Sequence, residues 1–180
     1  MIVALAGRRV DPVGAKHSRF SSAPQIIDLV RRRIRETLVS KQAIALVSSA
    51  ACGADLLALS EAGYLHLQRR VLLPFDRETF RSTSVMDRPG DWGQLYDAVI
   101  DEVQQRGDLL IFGTGLENCP YIKTNHRIIN EALSLGRSLQ EPVMAVRVWE
   151  GQSRGEGDLT EEFGIYAGTK GVSVSDVMTG

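Results

Sequence analysis

Apolar residues follow two alternating rhythms along the chain. Short continuous runs rich in β-formers occur at Ile2–Ala6, Ala43–Val47, Val71–Leu73, Asp108–Phe112, Val143–Trp149 and, more weakly, Val172–Val174. Between them, apolar positions spaced for one face of a helix predict helices over Pro24–Val39, Gly53–His66, Trp92–Gln105, Asn125–Leu139 and Leu159–Ala167. Continuous apolar strands separated by amphipathic helices indicate an α/β fold: a doubly wound, mostly parallel sheet with helices on both faces and right-handed crossovers. Such sheets take ligands beyond the carboxyl ends of their strands, near the point where the winding reverses. Two long segments without helical or strand periodicity, Arg8–Ser22 and Pro74–Asp91, follow strands on that same edge and exceed ordinary connectors.

The 180 residues suit one domain, 1–180, with a full core. A net charge of -1 argues against a general nucleic-acid binder, which would carry a strongly basic face. Of the 21 basic residues only Lys16, Lys41, Lys123 and Lys170 are not arginine. Guanidinium groups suit bidentate phosphate contacts, although a GC-rich coding bias accounts for the same composition. Cys52 and Cys119 have no metal-ligand spacing, and His17, His66 and His126 are scattered, so no metal site is expected. Unpaired cysteines fit a reducing, cytoplasmic setting, and no apolar run reaches membrane-spanning length.

Candidate chemistry concentrates at strand ends. Ser48, Ser49, Ala50, Ala51, Cys52, Gly53, Ala54 and Asp55 join the second strand to its helix with small side chains that leave backbone N–H groups open to an anion. The stretch has neither the Lys-Ser/Thr of a Walker A loop nor a clean G-x-G-x-x-G, and tight strand–helix packing explains the same residues. Asp55 is placed either to cap the helix or to bind a ribose hydroxyl. Cys52 near a helix start is a candidate thiolate without an evident base. Gly7, Arg8 and Arg9 end the first strand and add two guanidinium groups to the edge. Pro74 stops the third strand, and Phe75 offers a hydrophobic wall or a base-stacking surface. Arg77 and Arg81 share a helical face, as a phosphate clamp on a mobile cover or as partners of Asp76 and Glu78. Asn125, with Tyr121, stands at a helix entry. After the fifth strand Gly151 opens a flexible turn, Asp158 or Thr160 caps the next helix, and Glu161 and Glu162 favour its dipole.

Four of these strand-end landmarks, Leu5–Asp11, Ala51–Asp55, Leu73–Arg77 and Trp149–Gly151 with Arg154, Gly155, Asp158, Thr160 and Phe163, together resemble the SLOG superfamily. This group of Rossmann-like nucleotide-binding domains includes the Lonely Guy phosphoribohydrolases and the DNA-processing protein DprA. The likeness is to bacterial SLOG domains, alone or fused to signalling modules, that sense nucleotide-derived ligands. It implies a small nucleotide-like ligand at the carboxyl edge, no required cofactor, and a homodimer. Lonely Guy proteins carry P-G-G-x-G-T-x-x-E, whose Glu assists N-glycosidic cleavage. With Thr160 on that Thr, Leu159 replaces the preceding Gly and Phe163 the Glu, which removes the carboxylate that stabilises an oxocarbenium-like centre. A sensing domain is therefore expected. The alternatives are a nucleoside 5′-monophosphate hydrolase using Asp158, Glu161 or Glu162, and an interaction scaffold with a vestigial pocket.

Overall fold

A computed structural model of the chain describes residues 1–113 and 120–180. Within them, β1 (Ile2–Gly7), β2 (Ala45–Ser48), β3 (Gln68–Leu73), β4 (Leu109–Ile111), β5 (Val143–Trp149) and β6 (Ser173–Met178) form one sheet in the order β4-β3-β2-β1-β5-β6. Every neighbouring pair is parallel. The chain steps outward from β1 to β4, then returns to the other side of β1 to lay down β5 and β6. The winding reverses between β1 and β5, whose carboxyl ends are level, with Gly7 opposite Val148.

Alternation along β1 divides the core. Val3 and Leu5 face one hydrophobic cluster, built with α1 (Pro24–Ser40), α2 (Ala54–Tyr64), α3 (Arg77–Ser84) and α4 (Trp92–Gln105). Ile2, Ala4 and Ala6 face the other, built with α5 (Pro120–Leu139) and α6 (Leu159–Thr169). This is the doubly wound, Rossmann-like arrangement that the alternating pattern predicts. No described helix is long and apolar enough to cross a membrane.

The differences from the sequence reading have local causes. β3 starts at Gln68, ahead of its apolar run, because Arg69 pairs with Glu102 and Arg70 with Asp108 (3.0 Å) and Glu131 (2.6 Å), so charged side chains are accommodated in the strand. β6 runs on to Met178 as a polar edge strand, held by Arg147 donating to Asp176 on its neighbour. α3 occupies the segment assigned to irregular structure. Asp76 caps it, its carboxylate accepting from the Thr79 N–H at 2.9 Å.

Candidate functional site

The ends of β1 and β2, the α6 N-terminus and faces of α3 and α5 enclose a cavity of about 280 Å³ beside the winding reversal. That is close to the lower end of volumes that hold small organic ligands, roughly 300–1,000 Å³. Its walls are mixed. Val10, Phe80, Ile128 and Leu159 are apolar; Ser49, Ser84, Thr124, Asn125 and Thr160 offer hydroxyls and an amide. Arg9, Arg88 and Arg154 bring guanidinium groups, and Asp11 and Asp55 bring carboxyls.

The small residues of the β2–α2 junction serve packing. Gly53 has φ +95°, and a Cβ there would lie 2.8 Å from the Arg8 carbonyl oxygen and from the Val10 nitrogen. A Cβ on Gly7 would come within 2.5 Å of the Ala54 Cβ and 2.6 Å of the Val148 oxygen. The chain after β1 is thus pressed against the start of α2. Three of the amides in this stretch have acceptors within the protein: Ala54 N–H donates to Arg8 O (3.1 Å), Cys52 N–H to Ser84 O (3.0 Å), and Ala51 N–H to Asp55 Oδ2 (3.3 Å). Ser48 Oγ donates to the Leu5 carbonyl at 3.0 Å within the sheet. Cys52 is fully buried, and burial pushes its thiol up to about 12, which leaves it unreactive. Of this stretch, Ser49, Ala51 and Asp55 reach the cavity.

Asp55 is the unusual member. It is 7% exposed, and no protein group hydrogen-bonds to Oδ1. Burial raises its carboxyl from 3.8 to about 7, against the pull of the Ala51 and Gly7 N–H groups and the Arg9 charge.

Arg8 is not a cavity residue. Its side chain is buried, with Nη1 and Nη2 donating to Asp158 Oδ1 and Oδ2 (2.6 and 2.8 Å), Nε to Glu150 Oε2 (2.6 Å), and Nη2 to the Gln152 carbonyl (3.0 Å). Glu150 also accepts from Arg19. Asp158 in turn caps α6, accepting from the N–H groups of Thr160 (2.9 Å) and Glu161 (3.2 Å), and it also accepts from the Arg154 N–H (2.7 Å) ahead of the helix. Burial opposes ionisation of Asp158, yet the Arg8 guanidinium and these amides hold its carboxyl well below the usual carboxylate range. The role expected for Arg8, neutralising a ligand phosphate, is replaced by fixing the wall that carries Arg154, Leu159 and Thr160.

Arg77 and Arg81 do share a face, but it meets α4. Arg77 donates to Asp101 (2.6 Å) and Gln104 (2.8 Å), and Arg81 to both carboxylate oxygens of Asp97 (2.9 and 3.0 Å). α3 turns Phe80 and Ser84 to the cavity instead. Pro74 is buried outside it, and Phe75 stands edge-on to Tyr121 with ring centroids 6.2 Å apart. Gly151 is exposed in a turn with φ +82°.

The carboxylates singled out for hydrolysis also lie off the cavity. Glu161 accepts from Ser153 Oγ, and Glu162 pairs with His126 Nε2 at 2.5 Å, while Asn125 Nδ2 donates to the Leu159 carbonyl at 2.8 Å. Phe163 is fully buried in the α5–α6 cluster. Asp11 Oδ2 accepts from Ser18 Oγ and the Arg19 and Phe20 N–H groups, holding its own loop. Among the described residues no three metal-ligating side chains cluster, and Cys119 lies outside them.

The structure thus brings Gly7, Arg9, Ser49, Asp55, Asn125 and Thr160 together. Sequence reasoning missed Arg88, Ser84 and Thr124. Thr124 sits one position before the flagged Asn125, and Arg88 precedes the Pro89-Gly90 turn, but neither carries a motif.

No protein-family model matches the chain, and no curated protein matches it in sequence. Among the solved structures that are similar, two align at 13% identity. An X-ray structure of DNA processing protein A (DprA) from Streptococcus pneumoniae aligns with a TM-score of 0.37 over 96% of this chain and 57% of that one. The chain therefore spans little more than half of that protein. A structure of the Moco carrier protein from Chlamydomonas reinhardtii aligns with a TM-score of 0.35, over 97% of this chain and 87% of that one.

Proposed function

We propose that the protein binds a small, anionic, nucleotide-like ligand in the carboxyl-edge cavity and acts as a sensor of it. The observation that carries this reading is one cavity joining three guanidinium groups to a buried carboxyl with a free acceptor oxygen, between apolar walls. Such a lining suits a molecule with a charged end, a hydroxylated middle and a flat apolar part. Gly7, Asp55 and Thr160 come from three of the four SLOG-type landmarks, which supports a ligand of that superfamily's kind. The same resemblance supports a cytoplasmic homodimer, which light scattering in solution tests.

Binding without turnover is favoured because Asp158, Glu161 and Glu162 are engaged elsewhere. One feature favours a hydrolase: the Asp55 carboxyl lines the cavity and is buried, and burial pushes it up to about 7, which suits general acid–base work. Calorimetric titration with the four ribonucleoside 5′-monophosphates tests the binding reading, which expects saturable heat with at least one of them. Chromatography of the same mixtures after long incubation separates the two readings. Unchanged nucleotide supports the sensor, and free base released at ordinary enzyme rates, on the order of one per second or faster, supports the hydrolase.

A further inference from the structure

The sheet's two edges differ. β6 carries Ser173, Ser175 and Asp176, polar and charged groups of the kind that blunt an edge against further pairing. β4 is Leu109-Leu110-Ile111 with no polar side chain, and Leu110 and Ile111 are 36% and 47% exposed. The Phe112 N–H donates to the Leu73 carbonyl (3.2 Å), and the Asp108 carbonyl accepts from the Val71 N–H (3.0 Å). By alternation the backbone groups of Asp108, Leu110 and Phe112 face β3, and those of Leu109 and Ile111 face outward, where no further strand meets them.

Charge is ordered along this edge. Arg127 on α5 stacks over Phe112, its guanidinium carbon 4.2 Å from the ring centroid, with no carboxylate partner among the described residues. At the other end Arg70 holds both Glu131 (2.6 Å) and Asp108 (3.0 Å), so a single guanidinium serves both carboxylates. Positive charge therefore stands level with Phe112 and net negative charge level with Asp108, with Leu110 midway between them.

Resting on the homodimer reading above, and independent of any ligand, we propose that a second copy of this chain pairs antiparallel with β4 about a two-fold axis through Leu110, joining two sheets into one. Leu109 of each copy then stands opposite Ile111 of the other, and each such pair exchanges both N–H···O=C bonds, because theirs are the backbone groups that point outward. Leu110 meets its own counterpart as a non-hydrogen-bonded pair, where side chains come closest. The axis also reverses the charge order, setting Arg127 of one copy level with Asp108 and Glu131 of the other. A patch that complements itself in this way is what a two-fold contact requires. An axis along the strands, which would pair them parallel, puts the two α5 helices on opposite faces of the sheet and leaves Arg127 without that carboxylate.

Sedimentation equilibrium of the full chain from about 1 µM to 1 mM, the span of weak to moderate association, tests the contact. The wild type is expected to show a reversible monomer–dimer equilibrium with no larger species, since the contact uses up the open edge. Ile111→Pro deletes an outward N–H while keeping every bond to β3, and should weaken the dimer roughly 10- to 100-fold. Arg127→Glu and Glu131→Arg should each dimerise less well alone. Mixed, they should form a dimer of one copy of each, because unlike copies place opposite charges across the axis. The wild-type and mixing measurements do not depend on Ile111→Pro folding. A wild type that stays monomeric throughout, or that grows into open-ended assemblies, overturns both the edge contact and the homodimer reading and leaves ligand binding standing. A dimer undiminished in folded Ile111→Pro, or charge variants with no preference for the mixed pair, puts the contact on another face and overturns the edge contact alone.

Discussion

The Arg8 guanidinium and the Asp158 carboxylate, 150 residues apart in sequence, meet side by side with Nη1–Oδ1 at 2.6 Å and Nη2–Oδ2 at 2.8 Å. Both side chains are essentially excluded from solvent. The pair joins the end of β1 to the cap of α6 across the winding reversal, so the cavity wall is set by an ionic contact rather than by hydrophobic packing alone.

Removing one member leaves a buried charge without compensation. Arg8→Gln should lower unfolding stability by about 3–5 kcal/mol in chemical denaturation, and Arg8→Lys should recover little because an ammonium cannot reproduce the two-pronged contact. The Asp158 pKa is lower in the folded than in the unfolded chain. Its contribution is therefore complete above an unfolded value of about 4 and is lost as pH falls below it. Denaturation midpoints measured from pH 6 down to pH 2 should decline more steeply for the wild type than for Asp158→Asn.

Asp55 works in the opposite sense. Its carboxyl is raised from 3.8 to about 7, so the fold carries no penalty below the unfolded value, loses stability as pH climbs from about 4 to about 7, and loses no more above that. The difference corresponds to roughly 4 kcal/mol above pH 8. Asp55→Asn keeps an acceptor for the Ala51 N–H and removes the charge. It should melt at higher temperature than the wild type at pH 8, with the gain vanishing toward pH 4. A gain that does not vary with pH would show that the carboxyl is not desolvated.

Gly53 should tolerate no side chain. Gly53→Ala puts a Cβ within 2.8 Å of the Arg8 carbonyl at a φ of +95°, so strain of on the order of 1–3 kcal/mol or more should appear in thermal melts. The larger, charged Gly53→Asp would disturb the fold itself and so reveals nothing about a ligand.

How far the chain could be read without its structure depends on the range of the interactions. The burial of β1 on both faces was legible from the continuous apolar run Ile2–Ala6, because a strand buried on both sides is apolar at every position. The cavity's location was legible too, since it follows from the winding order. What Arg8 does was not, because Asp158 is distant in sequence and nothing near Arg8 announces it. Arg69 and Arg70 hid the start of β3 for the same reason, their partners Glu102, Asp108 and Glu131 lying on later elements. The small residues around Gly53 were legible as a close approach, but what approaches is the backbone from Arg8 to Val10.

Arg81 separates the α3–α4 contact from the ligand site. Its guanidinium holds both oxygens of Asp97 on α4. Arg81→Ala should leave nucleotide affinity unchanged in calorimetry, whereas Arg88→Gln should weaken it. The opposite ranking would return the binding role to the outer face of α3.

Amide chemical-shift mapping tests the central claim most directly. Titrating isotopically labelled protein with adenosine 5′-monophosphate should produce saturable shifts at Gly7, Ser49, Ser84, Asn125 and Thr160, around one cavity on five different segments. Residues on the far edge of the sheet, such as Gly136 and Gly171, should not move. Saturable shifts centred away from the β1–β5 carboxyl edge, or no shift at millimolar nucleotide, would contradict the account.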